Sequence, residues 1–343
     1  MKKITAAIIG ASGYTGEELM RLVLRHPMLE LAAATSRQYV GKRIVEIYPH
    51  LVEAEMMSFT APELTTINAD VFFLAMPHGE ATPLVESLLK TGKKIIDLSA
   101  DFRLKDRNRY VEYYNAQPAS QTLLNLAVYG NPELYREAIA QAQFIACPGC
   151  YPTSILLALA PLLKENKIKT DSIVINSLSG VSGAGRKADL ALLFAECHEN
   201  VKPYSVGHHR HIPEIEQELS RVANQPVAVQ FTPHLLPVRR GILTSIVVEP
   251  RDKKSLPSQQ EVETGYTRFY DKKPFVRFLT RSLPEIKHVA WTNRCDIAVR
   301  VDSRTSRLLI FSALDNLTKG AGGQAIQCLN IMMGWNETEG LTR

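Results

Sequence analysis

Apolar runs of four to six residues alternate, along the first part of the chain, with stretches in which apolar residues recur every three or four positions. The runs AAIIG, LELAAAT, DVFFLAM and KKIIDLS read as buried strands, and helices are predicted over 16–26 and 80–90. That alternation predicts a doubly wound parallel sheet over 1–149. A short strand at 144–146 then leads into an apolar helix running to about 164. Beyond it come DSIVINSL, VAVQFTP, ILTSIVVEP, DIAVRVD and LLIFSAL, strand-like runs in sequence without helices between them. They predict an α+β domain with a mixed, largely antiparallel sheet over 150–315. A last helical pattern, 319–333, follows a turn at Asn316, so the segment of about 316–343 is expected to return to the first domain. No fixed-period repeat interrupts this plan, and RDKKSLPSQQ, 251–260, reads as an exposed loop rather than a domain boundary.

Length supports the division, because 343 residues exceed what one core comfortably organises. Composition is that of ordinary globular proteins, with 45% hydrophobic and 22% charged residues, which disfavours disordered and fibrous classes. Forty Lys and Arg against thirty-five Asp and Glu leave +5, an excess that fits a small phosphorylated ligand as readily as a nucleic acid. The basic residues are spread out without interleaved aromatics, so no nucleic-acid partner is expected. The opening MKKITAAIIGASG begins like a signal peptide, yet Gly10 ends its apolar run after about six residues. No apolar stretch approaches the roughly 18 residues that span a bilayer. Five scattered cysteines do not form a secreted disulfide framework, and a reducing compartment, the cytoplasm, is expected.

Between the first strand and the first helix stands Gly10-Ala11-Ser12-Gly13-Tyr14-Thr15-Gly16. Glycines at that place let the backbone turn tightly and approach a pyrophosphate, while the helix start offers N–H groups and a positive dipole end. The motif departs from G-x-G-x-x-G, and a plain strand-to-helix turn is its other reading. With the strand order it predicts a Rossmann-type dinucleotide domain. At the end of the second strand, where NAD enzymes place an acid, stand Thr35-Ser36-Arg37. A hydroxyl and a guanidinium fit a 2′-phosphate, so NADP(H) is the expected cofactor; Arg37 as an ordinary solvated charge is the alternative.

Chemistry concentrates at Cys147-Pro148-Gly149-Cys150-Tyr151-Pro152-Thr153. Cys150 falls at a helix N-terminus, whose dipole favours thiolate over thiol and so prepares a nucleophile. The competing reading for any cysteine is a small buried hydrophobe, which is kept for Cys147. C-x-x-C also admits a thiol-exchange centre or half of a zinc site, with further ligands from Gly207-His208-His209-Arg210-His211; no metal is expected. In an acyl-transfer reading that cluster supplies an acid and base near neutral pH. Its bland alternative is a cap or a core hydrogen-bonding group.

GASGYTG, DLSADFRL, CPGCYPT, SGVSGAGRK, GHHRHIPEI, FTPHLLPVRRGI and LDNLTKGAGGQA occur together and in order, and in them the chain resembles the N-acetyl-gamma-glutamyl-phosphate reductases of arginine biosynthesis. The likeness spans nearly the whole chain. Aspartate-semialdehyde dehydrogenases share SGAG, and they and the reductases of carrier-bound aminoadipyl phosphate are the alternatives, but GCYPT and HRHxPEI fit the arginine enzyme better. The resemblance implies NADPH-dependent reduction of N-acetyl-L-glutamyl 5-phosphate through a thioester on Cys150, with His209 as acid and base. It implies Arg103, Ser179, Arg210, His211 and Glu214 as substrate-side residues, Glu214 orienting a histidine. For Arg103 the alternative is a surface ion pair with Asp101 or Asp106. On the cofactor side it implies Gly10, Ser12, Gly13, Tyr14, Thr15, Gly16, Ser36, Arg37, Ser182 and Gly183, with Pro77, Asn316 and Lys319 closing over the dinucleotide. It also implies a small-molecule substrate and a homo-oligomer, dimer or tetramer.

Overall fold

The computed structural model describes residues 3–63, 66–252 and 256–342. They form two compact units, the first running to Gly149 and completed by Ala321–Thr342, the second formed by Cys150–Gly320.

In the first unit the strands are β1 (Ile4–Ile9), β2 (Leu29–Ala34), β3 (Val71–Leu74), β4 (Lys94–Asp97), β5 (Val128–Tyr129) and β6 (Phe144–Ala146). Their order is β2-β1-β3-β4-β6-β5, and every pairing is parallel. Both faces are covered, which is why these strands read as unbroken apolar runs. The pleat sends Ala6 and Ile8 of β1 into one core cluster and Ala7 and Ile9 into the other. The helix Tyr14–Arg25 buries Leu19, Leu22 and Val23 in the former, where Ile326 and Leu329 of the last helix, Gly323–Met332, join them. Each such leucine contributes about 2 kcal/mol by leaving water.

The second unit has β7 (Ile173–Gly180), β8 (Lys202–Pro203), β9 (Val229–Leu236), β10 (Ile242–Val248), β11 (Val276–Phe278), β12 (Cys295–Asp302) and β13 (Arg307–Leu314), ordered β11-β12-β13-β10-β7-β9-β8. The sheet is mixed. β7 and β9 pair in parallel, as do β11 and β12, and the other neighbours are antiparallel. The parallel β7–β9 pair is a departure from the run of helix-free strands read in the sequence: the helix Ile212–Ala223 lies between them in the chain and makes the crossover. A second departure concerns 251–260. Lys253, Lys254 and Ser255 lie outside the described residues, and the end of the expected loop starts the helix Gln259–Phe269. Ser258 Oγ accepts from Glu261 N–H (3.2 Å) while Glu261 Oε2 accepts from Ser258 N–H (2.7 Å), a capping box.

The helix Cys150–Lys164 is buried on every side from Tyr151 to Leu163, as an apolar helix in a domain core must be. Pro161 inside it lacks the N–H that would serve the Leu157 carbonyl, four residues back. Tyr270 takes over that role by donating its hydroxyl to Leu157 O, and Tyr266 OH donates to Ala158 O at 2.6 Å. Among the described residues no helix is long and apolar enough to cross a membrane.

Candidate active site

Glycine sterics shape the turn between β1 and the first helix of the first unit. Gly10 has φ +85°, and a Cβ there would lie 2.5 Å from Ala75 O; one on Gly16 would lie 2.5 Å from Ala11 Cα. Both positions therefore exclude side chains. Gly13, the N-cap of the helix Tyr14–Arg25, has open space where a Cβ would stand, and no side chain caps the helix. Tyr14, Thr15 and Gly16 thus open a helix whose first N–H groups and dipole face an uncovered approach, which fits a dinucleotide pyrophosphate. Ser12 and Ser36 are tied by a 2.9 Å hydroxyl bond, and Ser36 Oγ also accepts from Gln38 and Tyr39 N–H. Thr35 Oγ1 accepts from Gly10 N–H (3.1 Å), and Tyr48 OH donates to Ser12 O (2.7 Å). Arg37 is exposed, but its guanidinium holds both carboxylate oxygens of Glu80, at 3.1 and 2.9 Å. Pro77 stands exposed after β3, in a loop that Asp101 secures by accepting from Gly79 and Ala81 N–H.

Arg103 is only 7% exposed, so it is not the solvated surface group weighed for it. Asp106 instead caps the helix Arg107–Tyr114. Arg103 Nε donates to Cys147 O (2.7 Å) and Nη2 to Leu98 O (2.9 Å), fixing the end of β6. Beside it the Asp97 carboxyl is pushed up to about 7 by burial, against the opposing pull of its Ser99 hydrogen bonds.

Cys150 is the first residue of its helix in the second unit. That helix is pinned to the sheet by buried hydroxyls: Ser154 Oγ lies 2.9 Å from Thr244 Oγ1 of β10 and 2.7 Å from Ser312 Oγ of β13, and Ser177 of β7 extends the chain to Thr244 at 2.8 Å. A Cβ on Gly320 would meet Cys150 Cβ at 2.8 Å. No disulfide joins any of the five cysteines.

Around His209 the aromatic rings of Tyr151, Tyr204 and Phe231 stand edge-on with centroids at 5.5, 5.5 and 5.4 Å, and His211 at 4.9 Å. His209 Nδ1 accepts from the His211 N–H at 3.1 Å. Burial first, then the charges of Arg210 and His208, pull this imidazole from 6.5 down to about 4. Tyr151 and Tyr204 share a hydroxyl bond of 2.9 Å, and both hydroxyls feel Cys150. Burial pushes Tyr204 up to about 12 and Tyr151 higher still. Cys150 and His209 therefore belong to one neighbourhood, bridged by two tyrosines that sequence reasoning did not single out. Tyr151 stood inside the CPGCYPT motif; Tyr204 carried no signal beyond its closeness to the histidines.

Four more of the predicted residues meet at the end of β7. A Cβ on Gly183 would lie 3.2 Å from Ser179 Oγ, Asn316 Nδ2 donates to Ser182 Oγ (2.9 Å), and Asn316 Oδ1 accepts from Gly241 N–H (2.7 Å). Their neighbour Asp315 accepts from Arg240 Nη2 at 2.9 Å, beneath Trp291, whose ring centre is 3.7 Å from the guanidinium. Glu214 is fully buried in the first turn of the helix Ile212–Ala223, Arg210 is exposed just before it, and Lys319 is fully buried. Among the described residues no group of three or more His, Cys, Asp or Glu side chains is arranged to hold a metal ion.

Residues 5–142 match the family described as semialdehyde dehydrogenase, NAD binding domain, and 150–316 that described as semialdehyde dehydrogenase, dimerisation domain. The chain is 50% identical to an N-acetyl-gamma-glutamyl-phosphate reductase of Pelotomaculum thermopropionicum over 98% of this chain and 97% of that one. It is 48% identical to the protein of the same name from Desulforamulus reducens, over 98% of each. Among solved structures it is similar to aspartate semialdehyde dehydrogenase II of Vibrio cholerae complexed with ASA, at TM-score 0.73 and 18% identity, covering 97% of this chain and 99% of that one. The aspartate semialdehyde dehydrogenase of Candida albicans with NADP gives TM-score 0.71 at 17% identity, covering 97% of this chain and 99% of the other. At such identities these structures speak for the fold alone.

Proposed function

The chain belongs to the N-acetyl-gamma-glutamyl-phosphate reductases of the semialdehyde dehydrogenase family, and from that premise we propose the route by which it reduces N-acetyl-L-glutamyl 5-phosphate to the 5-semialdehyde and phosphate. The observation that carries the proposal is the half-buried cluster around Cys150, where a helix N-terminus, two tyrosine hydroxyls and the His209 imidazole come together.

Cys150 acts as a thiolate, favoured by the start of its helix. Its sulfur bonds to the acyl carbon, the bond from that carbon to the phosphate oxygen breaks, and a thioester remains on the enzyme. Bound NADPH supplies the hydride that reduces this thioester. When the resulting alkoxide collapses, the carbon–sulfur bond breaks and Cys150 returns as thiolate. His209 is the acid and base that gives a proton to the oxygen on the reacting carbon and takes it back as the carbon–sulfur bond breaks. Tyr151, Phe231 and Tyr204 keep water away from it, as a hydrolysable thioester requires.

For the substrate we assign Ser179, His211 and Glu214 with the positive groups Arg210 and Arg103; the carbonyl bonds of Arg103 fix where its charge sits. For the dinucleotide we assign Gly10 to Gly16 to the pyrophosphate, Ser36 and Arg37 to the 2′-phosphate, and Ser182, Gly183, Asn316, Lys319 and Pro77 to the remainder. Gly13 supports this through the space it leaves open, and Gly10 and Gly16 through the close backbone packing that they allow. We further propose that the enzyme works in the cytoplasm as a dimer or tetramer, the second domain matching a family described by dimerisation.

The reaction run backwards tests the assignment. N-acetylglutamate semialdehyde should reduce NADP only when phosphate is present, far better than aspartate semialdehyde does. Preference for aspartate semialdehyde would move the chain to the sister activity.

A further inference from the structure

We infer that Asp101 is a positioning residue for the cofactor: its buried carboxylate fixes the backbone of residues 77–81 beside the glycine turn, and NADPH binding depends on that anchor. The inference rests on the reading above, which assigns Pro77 and the glycine turn to the dinucleotide.

The segment that leaves β3 runs along the glycine turn and the end of β2. At its near end Ala75 donates its N–H to Ile9 O at 2.8 Å, and a Cβ on Gly10 would meet Ala75 O at 2.5 Å. At its far end the Glu80 carboxylate holds Arg37. Between them Pro77 and Gly79 are exposed, and Gly79 has φ +87°. A loop with a glycine in it has much conformational freedom to lose, so its shape needs a tie.

Asp101 supplies the tie. Its Oδ1 accepts from Gly79 N–H and from Tyr110 OH, each at 2.7 Å, and its Oδ2 accepts from Ala81 N–H at 3.2 Å. One carboxylate thus grips the loop on both sides of Glu80 and stands at the start of the helix Thr82–Leu89, where negative charge is favoured. The grip has a firm base. Asp101 N–H donates to Ser99 Oγ at 3.2 Å, and Ser99 Oγ donates to Asp97 Oδ2 at 2.7 Å, at the end of β4. Tyr110 stacks on Tyr114 at 4.8 Å, and Tyr114 stands edge-on to His78 of the same loop at 5.5 Å. Asp101 and Tyr110 are each 2% exposed, so what they do for a ligand they do through the loop.

The chemistry of the grip is one-sided, because all three partners donate and a carboxylate only accepts. An Asn amide of the same size turns an NH2 toward one of those donors, so a hydrogen bond is replaced by two donors facing each other. Removing the Glu80 charge acts differently. It frees Arg37 but leaves the backbone bonds of Gly79 and Ala81 to Asp101 in place. Two changes on one loop therefore have opposite consequences for NADPH.

The test compares full-length Asp101→Asn, Tyr110→Phe and Glu80→Gln by NADPH binding, by kcat at saturating NADPH, and by the burst of phosphate released from N-acetyl-L-glutamyl 5-phosphate without NADPH. We expect Asp101→Asn to weaken NADPH about tenfold and Tyr110→Phe about two- to threefold, while Glu80→Gln does not weaken it. In all three, kcat and the burst should stay within about twofold of the unmodified enzyme, a split that a merely structural role would not give. Unchanged NADPH binding in Asp101→Asn, or a burst reduced in step with binding, would overturn the inference; should that variant not fold, Tyr110→Phe decides by the same two criteria. If Gly13→Ala weakens NADPH and Asp101→Asn does not, only this inference fails; if neither does, the placing of the dinucleotide at the glycine turn fails with it.

Discussion

The two working regions of this molecule are made from different materials. The glycine loop of the first unit is made of backbone: Gly10 and Gly16 lack side chains because Ala75 and Ala11 leave no space for them, and Gly13 leaves open space where a Cβ would stand. The Cys150 region of the second unit is made of side chains brought from four places, Cys150, Tyr204, His209 and Phe231, around a half-buried imidazole. A site made of backbone tolerates many sequences outside its glycines. A site made of side chains fails one group at a time, and the substitutions that separate the two follow from that.

The largest effect belongs to Cys150→Ser. Its kcat should fall by about 10⁴-fold or more, as expected when a nucleophile is lost, while NADPH binding measured by fluorescence is unchanged. Equal loss of cofactor binding would erase the contrast between the regions.

Within the phosphate loop two neighbouring changes should act on different quantities. Gly10→Ala meets Ala75 O at 2.5 Å with a positive φ and should cost about 3 kcal/mol of stability in urea unfolding. Gly13→Ala meets nothing and should leave stability nearly unchanged while weakening NADPH roughly tenfold, because the added methyl stands where phosphate approaches. Equal stability losses in the two would show that the open space is not a ligand's.

Arg37 gives the next smaller effect. Arg37→Ala should cut the preference for NADPH over NADH about tenfold, and Glu80→Gln, which frees the guanidinium from its carboxylate partner, should tighten NADPH by a few-fold. A weaker NADPH complex in Glu80→Gln would mean that the Arg37–Glu80 pair itself forms the binding surface.

The sequence made the first region legible because its parts are local. One turn, one helix start and the Thr35-Ser36-Arg37 strand end carry the whole signal, and each can be read without knowing what lies across the fold. Ser36 shows the limit: it was read as a cofactor ligand, and the structure shows its hydroxyl also ordering its own turn. The second region was legible only in Cys150 and the histidine cluster. That Tyr204 lies against both His209 and Tyr151, or that Glu80 holds Arg37, depends on chain segments meeting in space, which no spacing encodes. The helix Gln259–Phe269 was missed for a different reason. Its S-x-x-E box was present at 258–261, but the polar residues before it outweighed that signal.

The smallest effect tests the last helix against the first. His26 Nε2 lies 3.0 Å from Asn330 Oδ1 and its Nδ1 accepts from Met28 N–H, and burial holds its pKa below 6.5. The folded ring binds fewer protons than the unfolded one, so its stabilisation is full above pH 6.5 and is lost as pH falls through the window beneath. Thermal unfolding of His26→Gln should therefore differ from the unmodified protein more at pH 7.5 than at pH 5.5. A gap independent of pH would remove His26 as the titrating group.

The thioester on Cys150 is the claim on which the rest depends. Enzyme mixed with N-acetyl-L-glutamyl 5-phosphate in the absence of NADPH, quenched in acid and digested, should release phosphate in a burst of about one per Cys150 and yield the Cys150 peptide heavier by one N-acetylglutamyl group. Full turnover with NADPH but neither burst nor adduct would contradict the account.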